Sequence, residues 1–157
     1  MKLQKKLLFT LTTFLSLAVS GFAVSSPASA SMSNKKVAYS TLYKVAKAQL
    51  GKPYSWGATG PSSFDCSGLT SYIYKKGAGI SIPRTAAAQY SFGKRVSVKN
   101  LKKGDLVFFT QGSSMVSHTG FYVGNGKMID AQNHMTYDPI INGWEHCVGG
   151  ARMANVN

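Results

Sequence analysis

Cys66, His118 and Asp130 are the residues of this 157-residue chain whose types can share one covalent reaction. A thiolate attacks, an imidazole carries the proton, and a carboxylate orients the imidazole. Cys66 stands in Phe64-Asp65-Cys66-Ser67-Gly68-Leu69. Leu69, Tyr72 and Ile73, three and four residues apart, predict a helix here with Asp65 as its N-cap. Cys66 then lies in the first turn, at the positive end of the helix dipole, where unpaired amides favour an anion. Taken alone, a cysteine there as often fills core space.

Three histidines could serve as the base: His118, His134 and His146. His118 opens the strand-like run His118-Thr119-Gly120-Phe121-Tyr122-Val123, and a sheet can hold an imidazole rigidly against a helix end. His134 and His146 sit in stretches of weak periodicity and read as surface or loop residues. Gly124-Asn125-Gly126 makes His118 and Asp130 partners in one hairpin, and register then decides whether they can meet. A regular two-residue turn at Asn125-Gly126 puts them on opposite faces. A three-residue loop, or a bulge, opposes Gly120 with Asp130 and makes His118 its diagonal neighbour on one face. Gln132 is the alternative orienting group.

The elements that would position these residues follow from pattern. Ser40 to Leu50 carries Leu42, Val45, Ala46 and Leu50 near helical spacing and stops at Gly51, with Pro53 beyond. Residues 51–63, rich in Gly, Pro and Ser and containing Tyr54 and Trp56, form a loop into the nucleophile. Ser81 to Phe92 reads as a loop with a short helical turn. After Lys103 the runs Asp105 to Thr110, Gly120 to Val123 and Lys127 to Ala131 predict strands between glycines. Helices first and an antiparallel sheet later give an α+β class, with the Cys66 helix packed on the sheet.

Residues 1–30 read as a secretory signal peptide: Lys2, Lys5 and Lys6, an apolar stretch Leu7 to Val19, and the small-residue site Ala28-Ser29-Ala30. Thr10, Thr12, Thr13 and Ser16 within that stretch and Ser20 just after it dilute it, which argues against a membrane anchor, and no cysteine follows the site to carry a lipid. Its removal leaves 127 residues, one domain, with residues 31–39 as a short mobile entry and 40–157 as the catalytic unit. The first 30 residues hold three of the 18 basic residues and none of the five acidic ones, so the remainder carries +10. That excess suits anionic surroundings, and in an exported protein wall polymers fit better than nucleic acid, for which no motif exists. Two cysteines in an exported chain could form a disulfide. Pairing Cys66 with Cys147 would silence the nucleophile, so Cys147 reads as a separate packed or partly exposed thiol. His134, Glu145, His146 and Cys147 match no ligand spacing, and neither metal nor cofactor is expected.

The ordered blocks Gly51-Lys52-Pro53-Tyr54-Ser55-Trp56-Gly57, Phe64 to Leu69, Ile82-Pro83-Arg84-Thr85, Leu101 to Phe109 and His118 to Gly126 resemble the NlpC family of bacterial cell-wall cysteine peptidases, which look like trimmed papains. The resemblance covers nearly all of residues 40–154. It implies a papain-like minimal fold and a secreted endopeptidase that cuts the bond from γ-D-glutamate to diaminopimelate or lysine in peptidoglycan stem peptides. Cys66 is then the nucleophile, His118 the base and Asp130 the third polar residue. Tyr54 falls on the oxyanion side, Asp65 and Ser67 near the free amine of the first alanine, and Arg84 in the cleft wall. Many members carry histidine where this chain has Asp130, and a carboxylate still accepts the ring N–H. Residues 133–149 fit the pattern poorly and inherit no role.

The partners this implies are stem peptides and anionic wall polymers, with no nucleic acid and no stable membrane insertion after signal cleavage. The protein is expected to be a monomer, outside the cell or at its wall, or in the periplasm of a Gram-negative source. Two alternatives use the same residues differently: an amidase cutting between muramic acid and L-alanine, and a non-catalytic basic wall-binding or effector protein.

Overall fold

The computed structural model describes residues 33–140 and 146–157. The expected signal peptide, residues 1–30, lies outside them. Three helices, α1 (Tyr39–Lys47), α2 (Cys66–Ala78) and α3 (Ala86–Phe92), pack on an antiparallel sheet. Its six strands are β2 (Lys94–Val96), β3 (Leu106–Thr110), β4 (Val116–Gly124), β5 (Lys127–Ala131), β6 (Met135–Pro139) and β7 (His146–Arg152), in the order β2-β7-β3-β4-β5-β6. The α+β class read from the sequence is the observed one. Among the described residues no helix is long and apolar enough to cross a membrane.

Within the segment read from the sequence as a mobile entry, β1 (Ser33–Val37) pairs in parallel with β8 (Ala154–Val156), and α1 begins at Tyr39. Tyr39 N donates to Asn157 O at 2.8 Å, and Asn157 N donates to Val37 O at 3.0 Å. A polar, basic composition concealed this because the pairing partner lies at the other end of the sequence. The segment 81–92 also orders further than a single turn, since Thr85 caps α3 through Ala88 N and Gln89 faces inward.

α2 is the central helix. Leu69, Ile73 and Tyr74 are fully buried against Leu106, Phe108, Phe121 and Ile129 of the sheet. Each such aliphatic side chain contributes roughly 1.5–3 kcal/mol by leaving water. The Asp65 carboxylate accepts from Gly68 N at 2.7 Å, the cap expected there, worth about 1 kcal/mol. A Cβ at Gly68 would strike the Ala58 carbonyl, so glycine lets the loop 51–65 press on the first helical turn. That contact fixes the height of Cys66 over the sheet.

Along β3 the side chains alternate. Leu106 and Phe108 join the helix-side core, and Val107 and Phe109 join Met128 and Ile140 in a smaller cluster on the other face. His118 stands directly opposite Phe109, and their rings lie 5.8 Å apart, so the histidine shares that second face. Asp105, at the approach to β3, is buried and accepts two hydrogen bonds of 2.8 Å from Arg152, tying β3 to the end of β7.

Candidate active site

The hairpin of β4 and β5 meets the condition the site requires. Gly120 pairs with Asp130, Phe121 with Ile129 and Tyr122 with Met128, then the register slips by one so that Gly124 pairs with Lys127. The turn itself is the two-residue Asn125-Gly126, both at positive φ, which glycine and asparagine tolerate. A bulge near Val123 restores the parity that this turn would have broken. His118 and Asp130 therefore share a face, and His118 Nε2 lies 2.7 Å from Asp130 Oδ2.

Both members of this pair are buried, Asp130 completely and His118 to 4% exposure. Burial alone would push the imidazole down. The hydrogen bond to Asp130, together with a hydrogen bond to Cys66 and its charge, outweighs that and raises His118 from 6.5 to about 10. Nε2 is taken by the carboxylate, which leaves Nδ1 for the sulfur. Cys66 is a free thiol, half-buried, its Sγ 4.0 Å from Ser117 O at the start of β4. Cys147 lies elsewhere, on β7 opposite Phe109. His134 and His146 are exposed, and neither is the histidine bonded to Cys66. Gln132 lines a recess beside His118, and the 2.7 Å contact to His118 Nε2 is made by Asp130.

A second charged group flanks Cys66. Arg84 Nη2 and Nη1 donate to the two carboxylate oxygens of Asp65 at 2.5 and 3.0 Å, and Nη1 also donates to Ser67 Oγ at 2.9 Å. Burial would raise the Asp65 carboxyl; Arg84 and the backbone N–H groups of Gly68 and Gly57 hold it below its usual value. Gln89 fixes this arrangement from α3. Its buried amide nitrogen donates to Ser67 O at 3.0 Å and to Pro83 O at 2.9 Å, which clamps the residue before Arg84 onto α2. Sequence reading missed Gln89, because its neighbours give no cue that a short helix turns it inward.

Tyr54 is placed by backbone pairing. Tyr54 N donates to Asn133 O at 3.2 Å, Ser55 N to Phe64 O at 3.0 Å, and Gly51 N to Met135 O at 2.9 Å. Burial first, then the charges of Cys66 and Asp65, raise the Tyr54 phenol, so it stays a donor. A cleft of about 450 Å³ holds Tyr54, Asp65, Cys66, Ser67 and Arg84. A second recess of about 370 Å³ on the histidine side holds His118, Gln111, Gln132 and Asn133. Tyr54, Trp56, Cys66 and Ser117 line both, so the sulfur sits where the two join. Trp56 is 90% exposed at that junction, a residue the sequence placed in the loop without a role.

Residues 51–152 match the model of the NlpC/P60 family. The chain belongs to the NlpC/P60 family. It is 54% identical over 114 residues to "Probable endopeptidase p60" of Listeria monocytogenes, covering 69% of this chain and 23% of that protein. It is 40% identical over 121 residues to "Bifunctional muramidase/DL-endopeptidase CwlT" of Bacillus subtilis, covering 73% of this chain and 36% of the relative. The chain thus spans about a quarter to a third of these longer NlpC/P60 proteins. Among solved structures, the peptidoglycan hydrolase RipB of Mycobacterium tuberculosis superposes with a TM-score of 0.64 at 33% identity, covering 73% of this chain and 64% of that one. Helices on an antiparallel sheet, with the cysteine at a helix N-terminus, form the papain-like arrangement of NlpC/P60 domains.

Proposed function

We propose that this protein is a peptidoglycan hydrolase: a cysteine endopeptidase that cuts between γ-D-glutamate and the diamino acid of stem peptides, exported through residues 1–30. The observation that carries the reading is Cys66 at the first turn of α2 beside an imidazole whose far nitrogen is held 2.7 Å from a buried carboxylate. The named endopeptidase and hydrolase relatives support the substrate class.

In this reading the Cys66 thiolate attacks the γ-glutamyl carbonyl while His118 is imidazolium, its proton retained by Asp130 and the Cys66 charge against the cost of burial. The Cys66 backbone N–H and the Tyr54 hydroxyl receive the developing oxyanion, each donor worth on the order of 3 kcal/mol in comparable sites. His118 then hands its proton to the leaving amine. Water, deprotonated by the neutral imidazole, hydrolyses the thioester and frees the thiol. The Asp65 carboxylate and the Ser67 hydroxyl offer acceptors for the free amine of the first alanine, with Arg84 holding Asp65 in place. Stem peptide on the Asp65 side and leaving group on the Gln132 side would use both recesses that meet at the sulfur.

The test is mass spectrometry of soluble muropeptides incubated with the protein and with Cys66→Ala. Cleavage after D-glutamate is expected, falling by a factor on the order of 10⁴ in the variant. Release of whole stem peptides would replace the endopeptidase with the amidase. Equal products from the variant would remove the thiol from the chemistry.

A further inference from the structure

Asp130 has two carboxylate oxygens and only one is used. Oδ2 faces His118, and Oδ1 is buried with no hydrogen-bond donor assigned to it. An orphaned carboxylate oxygen inside a protein is costly enough to require a partner. A candidate lies on β6, within the stretch 133–149 to which the sequence assigned no role. Asp130 pairs directly with Thr136, so Asp138 is its diagonal neighbour on the same face, opposite Met128. The Asp138 carboxyl is half-buried and within hydrogen-bonding reach of Asp130.

A carboxyl that faces an ionised carboxylate keeps its proton more readily than one in water. His118 decides where the proton resides. An imidazolium at Nε2 requires Asp130 to be the anion, which leaves the proton on Asp138. We propose that Asp138 is a positioning residue whose protonated carboxyl donates to Asp130 Oδ1, fixing the Asp130 carboxylate against His118 and extending the site to a chain of four groups, Cys66, His118, Asp130 and Asp138. This rests on the catalytic reading above for its consequence, not for its geometry.

The groups that bear on Asp138 are Asp130 from β5, His118 from β4 and His134 from the approach to β6. Burial and then Asp130 push its carboxyl up, the two histidines oppose this, and the result is a rise from 3.8 to about 6. The donor is therefore present in mildly acid surroundings and lost above them, when a second negative charge appears behind Asp130.

The proton on His118 Nε2, followed by NMR of the intact protein between about pH 4.5 and 8, reads this directly. Its resonance is expected to shift with a midpoint near 6, and the shift should vanish in Asp138→Asn, whose amide donates at every pH. On muropeptide substrate, Asp138→Ala should lower kcat about fivefold with KM unchanged, and Asp138→Asn should restore it. A His118 step that persists in Asp138→Asn, or an Asn variant as impaired as the Ala variant, would overturn the proposal. The resonance needs no substrate, so failure of the endopeptidase reading leaves this test intact.

Discussion

The two acidic groups on either side of Cys66 are held in opposite ways. Asp65 pairs with an Arg84 side chain that is 41% exposed, at the rim of an open cleft. Asp130 is wholly enclosed and pairs with a histidine that titrates. An exposed guanidinium stays charged at any working pH and can share its carboxylate with an incoming amine; a buried imidazole can move a proton. The first arrangement suits recognition and the second suits chemistry. Water access separates them: screening weakens the Asp65–Arg84 pair, while burial makes the His118–Asp130 pair strong and costly to break.

The sharpest way to break this comparison is to remove the buried anion. Asp130→Ala leaves the His118 ring nitrogen buried and unpaired, and kcat should fall by a factor on the order of 10²–10³. Asp130→Asn keeps an acceptor and drops the charge, so it should lose less. The two variants also differ in stability against pH. His118 is raised from 6.5 to about 10, so its contribution is fully present below 6.5 and disappears as pH climbs toward 10. Thermal unfolding across that window should show wild-type Tm falling, and a flatter curve in Asp130→Asn. An identical fall in both would mean that the carboxylate does not hold the proton.

The rim pair predicts the opposite arm. Asp65 is lowered below 3.8, so its contribution is present above that value and lost as pH falls through the depressed one. Arg84→Ala should shift acid unfolding to higher pH. In kinetics it should raise KM and cut kcat/KM by roughly tenfold, a smaller effect than Asp130→Ala because half-exposed pairs are screened. A change confined to kcat would place Arg84 in the chemistry and erase the distinction.

The same contrast explains what could be read from the residues. Asp65 as cap and Cys66 in the first turn depend on neighbours a few residues away, and local pattern exposes them; Arg84 came only with the family resemblance, and its pairing with Asp65 spans 19 residues. The meeting of His118 and Asp130 was legible as a condition, because strand period and turn length are both in the sequence; the bulge near Val123 was not, since no residue type demands it. Asp138 was invisible. Met135 to Pro139 carries an aspartate and a proline at a sheet edge, which reads as no strand, and its meaning appears only when β5 lies beside it. The pairing of β1 with β8 was hidden for the same reason, both strands being short and distant in sequence. Local chemistry is written locally, and the enclosure of Asp130 is a property of the assembled sheet.

Trp56 sharpens the comparison at its weakest point. Its ring is 90% exposed where the two recesses join, so the fold gains almost nothing from it and the unfolding midpoint of Trp56→Ala should match wild type. An apolar plane held beside the sulfur, on a loop pinned through Tyr54 and Ser55, is nonetheless a surface on which the proposed substrate can lie. Its loss should raise KM about threefold, the scale of one partly desolvated aromatic contact, and leave kcat alone. Recognition would then extend from the Asp65 side across the junction. If KM is unchanged while Arg84→Ala raises it, binding is confined to the charged rim and the histidine-side recess serves only the departing amine.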